Sequence, residues 1–539
     1  MLELNLNETF STLLQPFFSL KYLLLLAIFL ILLSRWWSYT NSSDVSAPPS
    51  PPKLPVIGNL HQLGLLPHRS LQTLAQRYGP DLMLLHLGSR PVLVVSSAEA
   101  ASEIFKTHDI AFSDRPKFIF FEKVVYNYKD IVSAPYGEYW RQVRSVCVLN
   151  LLSTKRVRSF RAVRLEETKL MMSNIEQSCS TLTSSSSPVL NLSEMFMKLT
   201  NDVTCRVAFG RKYSDRGDGL GRMFMELAVE MTEFFTRVNI GDYIPWLAWF
   251  TRVNGFDAKL DDLAKRVDNF FDMVIQEHID KLNNRNGDGM NNDNDDGKDF
   301  VDVLLWVQKE NAVGFPIDRV SIKAIILDMF TGGTDTTSTA LEWAMSELLR
   351  NPTVMKKLQK EVRGIVGNKK DISEDDLVGM HYLKAVTKEI FRLHPPFPLL
   401  IPRMCNQDVK IKGFNIKANT QVMVNAWALG RDPKSYTNPE RFEPERFLDS
   451  TIDYKGNNFE LIPFGAGRRG CPGIQFATVV EELALANIVH KFDWALPHGE
   501  GEDDLDMTET TGITAHRKYP LKAVATTPFQ GIAERDDAF

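Results

Sequence analysis

Close pairs of cysteine or histidine are missing from this sequence. The five cysteines, Cys147, Cys179, Cys205, Cys405 and Cys471, stand no nearer than 26 residues apart. An odd, dispersed set excludes a disulfide scaffold and the CxxC spacings of zinc sites. None of the ten histidines lies three to five residues from another, which removes a histidine-based zinc site. Charge of one sign is also lacking. Sixty-two Lys and Arg against 67 Asp and Glu leave a net charge of −5, without the basic field that nucleic-acid binding needs. Thirty-one glycines and 27 prolines in 539 residues are too few for a collagen-like or low-complexity chain. No internal repeat is visible. What remains is a long globular chain of enzyme composition, with its bulk in a reducing compartment.

One apolar run is present, at the N-terminus. Leu13–Leu33 supplies about 20 residues, the length of a membrane span, if Lys21 snorkels. Arg35, Trp36 and Trp37 form an interfacial anchor, while Glu3 and Glu8 flank the other end. A cleaved signal peptide fits less well, because the small-residue site Val45-Ser46-Ala47 is distant and followed by Pro48. The expectation is a luminal N-terminus over 1–12, an uncleaved single-pass anchor over 13–37 and a Pro-rich linker over 38–59. A catalytic domain over 60–525 and a tail over 526–539 complete the scheme. The proline stretch reads equally as a generic linker or as a stiff arm that orients the domain.

The rest is mostly helical in pattern. Leu82–Leu87 and Pro91–Ser96 read as a hairpin; a second is expected from Val409–Ile416, turning near Lys417–Thr420 into Gln421–Val424. Ser180–Pro188 and Asn283–Asp299 read as solvated loops. Residues 140–164 carry six Arg and one Lys with no acid. They form either a solvated helical face or a docking surface for an acidic partner.

The sharpest segment is Leu461–Gly473, LIPFGAGRRGCPG, ahead of a helical pattern over 474–490. It places one cysteine at the end of a glycine-rich loop and the start of a helix. The helix N–H groups, with Arg468 and Arg469, are expected to favour a thiolate, and such a thiolate can be an axial haem ligand. The same loop contains GxGxxG over 465–470, a dinucleotide fingerprint. Pro463 interrupts the strand that this reading needs, and no series of βα units surrounds it. Ser321–Arg350 reads as one long helix with a poor centre, Thr331-Gly-Gly-Thr-Asp-Thr-Thr-Ser-Thr339.

Phe464, Gly467, Arg469, Cys471 and Gly473 fit FxxGxRxCxG, and here the chain resembles the cytochrome P-450 superfamily. Glu389-Ile-Phe-Arg392 is similar to the ExxR motif, and Phe442–Phe447 to the PERF segment with Arg446. The resemblance spans residue 48 to about 520 and is strongest to plant microsomal members of the seventy-one clan. It implies a mainly α fold with a small β lobe, haem b as cofactor and Cys471 as the iron ligand. Glu389, Arg392 and Arg446 would be a structural triad, and Asp335 and Thr336 the acid–alcohol pair that manages protons. Trp140, Arg144, Arg403 and Arg469 would hold the haem propionates. Gly332 and Gly333 would let the helix pass close over the haem, with Pro463, Phe464 and Gly473 in the haem loop.

The implied activity is that of a monooxygenase at the endoplasmic reticulum, catalytic domain cytosolic. It would use O2 and electrons from an NADPH–cytochrome reductase docking on 140–164. A haem-thiolate dehydratase or isomerase without O2, and a nicotinamide dehydrogenase using GxGxxG, are the alternatives. The pocket is expected from Arg115–Tyr126, Phe234–Trp249, Met329–Thr331, Phe397–Leu400 and Gly512–Ile513, walled by Phe118, Phe120, Phe330, Leu399 and Ile513. An aromatic run at such a place is more often core than pocket. An apolar small molecule, a terpenoid, alkaloid or phenylpropanoid, is the expected substrate.

Overall fold

A single helix of 32 residues, Arg319–Arg350, runs through the protein with most of its side chains buried. The computed structural model describes residues 21–31, 46–180, 188–214, 219–237, 239–287, 297–310, 315–367, 369, 371–499, 501–510 and 512–527. In chain order the principal helices of the folded body are α1 (Pro67–Tyr78), α2 (Glu138–Val146), α3 (Arg161–Ser180) and α4 (Leu192–Phe209). They continue with α5 (Gly219–Thr236), α6 (Phe256–Gly287), α7 (Phe300–Glu310) and α8 (Arg319–Arg350). The last are α9 (Pro352–Val366), α10 (His381–Leu393) and α11 (Ile474–Lys491).

The poor centre of α8 stays helical for an identifiable reason. Thr331, Thr336 and Thr339 donate their hydroxyls to the carbonyls four residues earlier, at 2.7–2.9 Å. Asp318 caps the helix by accepting from the Ser321 amide at 2.7 Å. Packing then supplies what propensity does not, chiefly against α4 and also against α10 and α11.

The strands are β1 (Leu82–Leu87), β2 (Arg90–Val95), β3 (Val189–Asn191), β4 (Arg403–Met404), β5 (Val409–Ile411), β6 (Phe414–Ile416), β7 (Gln421–Val424), β8 (Asp493–Ala495) and β9 (Lys522–Thr526). They form sheets ordered β1-β2-β7-β4, β3-β9-β8 and β5-β6. The first expected hairpin is present as β1-β2. The second turns elsewhere. Lys412 and Gly413 take φ of 45° and 88°, a tight turn that pairs β5 with β6. β7 instead runs parallel to β2.

Residues 46–59 are tied to the body. Leu84 donates to the Pro49 carbonyl at 2.8 Å, and His86 to Asn59 Oδ1 at 2.8 Å. Of the two readings of the proline stretch, these bonds favour the fixed arm. Of the expected 13–37 anchor, only 21–31 are described, as a helix with exposed side chains. Among the described residues no helix is long and apolar enough to cross a membrane. The remainder of the anchor, residues 1–12, and most of the tail and of the two solvated loops lie outside the described residues.

Glu389 and Arg392 are fully buried on α10 and paired through two 2.7 Å bonds. Arg446 reaches the same carboxylate at 3.1 Å. Arg392 also donates to the carbonyls of Gly430, Pro439 and Arg441, so one cation staples α10 to the segment before the cysteine loop. Glu389→Ala leaves Arg392 buried without a countercharge. The expected outcome is a loss of about 3–5 kcal/mol in chemical denaturation, a large share of the roughly 5–15 kcal/mol that holds a folded protein together.

Candidate functional site

Cys471, the glycine-rich centre of α8 and four arginines face one cavity of about 720 Å³. The cysteine loop owes its shape to glycine at one position above all. Gly467 has φ of 66°, and a Cβ there would stand 2.6 Å from both Asp109 Oδ1 and the Phe105 carbonyl. The loop turns over and delivers Cys471 ahead of α11. Its sulfur accepts from the Gly473 amide at 3.3 Å and is exposed to the open volume of the cavity.

The expected push toward thiolate is not met. Burial raises the Cys471 thiol above its ordinary value, and the Gly473 amide and Arg144 only partly offset it. Arg468 turns away to Asp109, 3.5 Å off, and Arg469 is engaged elsewhere.

The four guanidinium groups are Arg115, Arg144, Arg403 and Arg469. Arg115 donates to the Val132, Ile401 and Pro402 carbonyls at 2.7–2.8 Å. Arg144 donates to Gly470 at 2.7 Å. Arg403 holds the Ala466 carbonyl at 2.5 Å and Asp109 at 3.0 Å. Arg469 donates to the Ser113, Ile131 and Ala134 carbonyls. Burial pulls Arg469 down to about 9 and Arg403 to about 10, and lowers Arg115 and Arg144 as well, with repulsion from neighbouring arginines the second cause at Arg115 and Arg469. Such a surplus of buried positive charge suits a ligand bearing two carboxylates.

Gly332 opens directly onto the cavity, since a Cβ there would meet nothing within 4 Å. At Gly333 an added Cβ would stand 3.1 Å from the Thr204 hydroxyl of α4. The residues thus fit a flat, dianionic, metal-bearing group: a sulfur ligand, cations for two carboxylates and a smooth helix wall. Haem has that chemistry.

Asp335, Thr336, Pro463, Phe464 and Gly473 line the same cavity, as do Phe120 and Phe330. Trp140 does not; its indole donates to the Ile131 carbonyl at 3.0 Å and its ring lies 4.2 Å under the Arg469 guanidinium. Phe118 packs on Phe121 and Tyr243 instead. Leu399 packs against the β1-β2 core, and Leu400, with φ of 51°, takes its place at the cavity. Thr514, not Ile513, reaches the lining. From α5 the wall comes from Ala228–Thr236 rather than from the segment after 239.

The wall is less uniformly apolar than the sequence suggests. Asn201, Thr204, Thr232 and Asp328 interrupt it. Asp328 stands two turns before Asp335, a spacing that was there to be read, and accepts from the Ile131 amide at 2.7 Å. Burial, then the facing Asp130, pushes the Asp328 carboxyl well above its ordinary value, and burial raises Asp130 too. Arg115 had no signal beyond its place in a candidate segment. The GxGxxG glycines have no strand before them and belong to the cysteine loop.

A family model described as Cytochrome P450 matches residues 48–522. Cytochrome P450 736A117 from Prunus mume is 66% identical over 524 residues, covering 96% of this chain and 97% of that protein. Norfluorocurarine oxidase from Strychnos sp is 52% identical over 506 residues, covering 93% and 97%. A solved zebra fish cytochrome P450 with progesterone aligns at a TM-score of 0.69 and 25% identity, over 86% of this chain and 99% of that one.

Asp328 keeps its proton in the folded protein and loses it in the unfolded chain above the ordinary value of 3.8. The stability this confers at acid pH is lost as pH rises toward the folded value. Between about pH 5 and 7, the wild type should lose up to about 1.4 kcal/mol per pH unit more than Asp328→Asn, whose amide needs no proton, by denaturant titration.

Proposed function

The chain belongs to the cytochrome P450 family and is a monooxygenase of that family, and from that premise we propose a membrane-anchored enzyme that oxidises an apolar small molecule of plant specialised metabolism. The observation that carries this reading is the meeting of the Cys471 sulfur, four guanidiniums and the Asp335-Thr336 step in one cavity. The chemistry supplied by haem b, when bound, is reductive activation of O2 and transfer of one oxygen atom to the substrate. Cys471 would hold the iron, and Arg115, Arg144, Arg403 and Arg469 the two carboxylates. Trp140 would brace Arg469 from below. Asp335 and Thr336 would hold and move protons at the cavity wall, and the aromatic wall would orient the substrate by shape while excluding water.

Electrons would come from an NADPH-dependent reductase. The cationic run does not survive intact as its docking surface. Arg161 and Arg164 pair with Glu374 and Asp375, Arg141 pairs with Glu138, and Arg156 is buried. The exposed Arg158 remains on a short helix, Thr154–Ser159, whose Thr154 bonds Gln475 just after the cysteine loop. That position supports an approach on the cysteine side.

Exposed apolar side chains support the membrane reading: Leu23–Leu26 on the N-terminal helix, and Trp246, Trp249, Phe250 and Val253. The proposed layout is an anchor over 13–37 and a cytosolic catalytic domain over 60–525 at the endoplasmic reticulum. The plant sources of the similar proteins, and an oxidase among them, support a terpenoid, alkaloid or phenylpropanoid substrate.

A reduced carbon-monoxide difference spectrum tests the ligand: the wild type should show the thiolate band and Cys471→Ser should lose it. Product formed under argon without NADPH would instead mark a dehydratase or isomerase.

The wall makes a second prediction. A fully buried apolar side chain contributes about 1.5–3 kcal/mol, so Leu400→Ala or Phe330→Ala should change the product ratio by roughly tenfold or more. Leu399→Ala, which faces the β core, should leave the ratio unchanged by product chromatography.

A further inference from the structure

Asp335 is ion-paired. Its Oδ1 lies 3.1 Å from His516 Nε2, and Thr514 is its other side-chain partner. His516 comes from the C-terminal segment, far away in the chain, and its backbone is firmly placed. The Thr510 amide donates to the His516 carbonyl at 2.8 Å. On one side of it, Ala515 donates to Pro396 and accepts from the Trp343 indole, at 2.9 and 2.7 Å. On the other, Arg517 donates to Ser346 at 3.1 Å.

The second imidazole nitrogen carries the argument further. His516 Nδ1 is 2.8 Å from Thr339 Oγ1, and that hydroxyl is also 2.8 Å from the Asp335 carbonyl. A hydroxyl has one hydrogen and accepting lone pairs. While Thr339 donates to the carbonyl it accepts from Nδ1–H, both in the imidazole cation and in the neutral form protonated at Nδ1. If it turns and donates to Nδ1, the neutral form protonated at Nε2 is bonded on both sides. Thr339 therefore keeps Nδ1 bonded whichever nitrogen carries the proton.

Asp335 lines the cavity, whereas His516 lies outside the lining with 27% of its side chain exposed. The imidazole stands between solvent and the cavity wall. The charged groups facing it are Asp335 and Glu342 on α8 and Arg517 beside it, and from α4 Ser193 bonds Glu342.

Resting on the monooxygenase reading, we propose that His516 is the positioning residue that hands protons from solvent to Asp335, with Thr339 accepting from Nδ1–H throughout. In that step the Nε2–H bond breaks and an Oδ1–H bond forms, leaving a neutral imidazole beside a neutral carboxyl. A solvent acid then reprotonates Nε2. No electrons move. The electrostatics agree: burial alone would lower His516, but Asp335 and Glu342 hold it above its ordinary 6.5. Burial alone would raise Asp335, yet His516 and Thr514 keep it below its ordinary 3.8.

The test uses the full chain with haem, in membranes with the reductase. The first readout is the unfolding midpoint against pH. A raised histidine stabilises fully below its ordinary value and loses that contribution as pH rises through the folded value. The wild-type midpoint should therefore fall between about pH 6 and 8 more steeply than that of His516→Gln. The second readout is NADPH-driven oxygen consumption, which should fall at least about tenfold in His516→Gln, as for loss of a general acid. His516→Arg separates the roles, because a permanent cation keeps the ion pair and cannot release a proton. It should retain a high midpoint, flat with pH, and the same tenfold loss. Full consumption in His516→Arg, or equal pH slopes in the wild type and His516→Gln, would overturn the proposal. Absence of the thiolate band in the wild type would overturn the underlying reading instead.

Discussion

Gathering four buried or half-buried guanidinium groups around one cavity is the constraint to which the surrounding chain answers. A cation removed from water is tolerated only when it is paired or hydrogen-bonded. Near Arg115, Arg144, Arg403 and Arg469 there are few carboxylates, so their N–H groups go to backbone carbonyls between Ser113 and Ala134, at 401–402 and at 466–470. Those segments have little regular structure of their own, and the arginines pin them. The shape of the cysteine loop follows, because Arg403 and Arg144 grip it at both ends. The positive charge left over is what makes a dianionic ligand fit.

A second tension runs along α8. Its middle trades helix propensity for a smooth wall, and packing, chiefly against α4, makes up the difference. Two aspartates project from this helix two turns apart and meet opposite surroundings. Asp328 is driven neutral by burial and by Asp130, while Asp335 is held ionised by His516. Environment, more than residue type, gives each its chemistry.

Much of the site was legible because its motifs are contiguous. The loop carrying Cys471, the Glu389–Arg392 pair on one helix turn and the Gly-Thr centre of α8 are each readable from neighbours in the chain. The shortfalls have a common form. Leu400 replaces Leu399 and Thr514 replaces Ile513, one-residue shifts that depend on local backbone angles such as the positive φ at Leu400. The second hairpin turns at Lys412-Gly413 because that pair takes positive φ, while the β7 strand finds a parallel partner from a different part of the sheet. The cationic run looked like a surface, yet Glu374 and Asp375 from a remote segment neutralise part of it.

By itself the sequence determined the family, the cysteine, the long helix with its weakened middle and the triad that braces it. These rest on spacing within one element, and spacing is local. Only the tertiary structure decided that Arg115 joins the cationic set, that Asp130 faces Asp328 and that His516 reaches Asp335. Each of these needs groups distant in the chain to be packed within a few ångströms and out of water. Charge state follows from that packing, because desolvation and the nearest opposite charge set it, and neither exists until the helices close around the cavity.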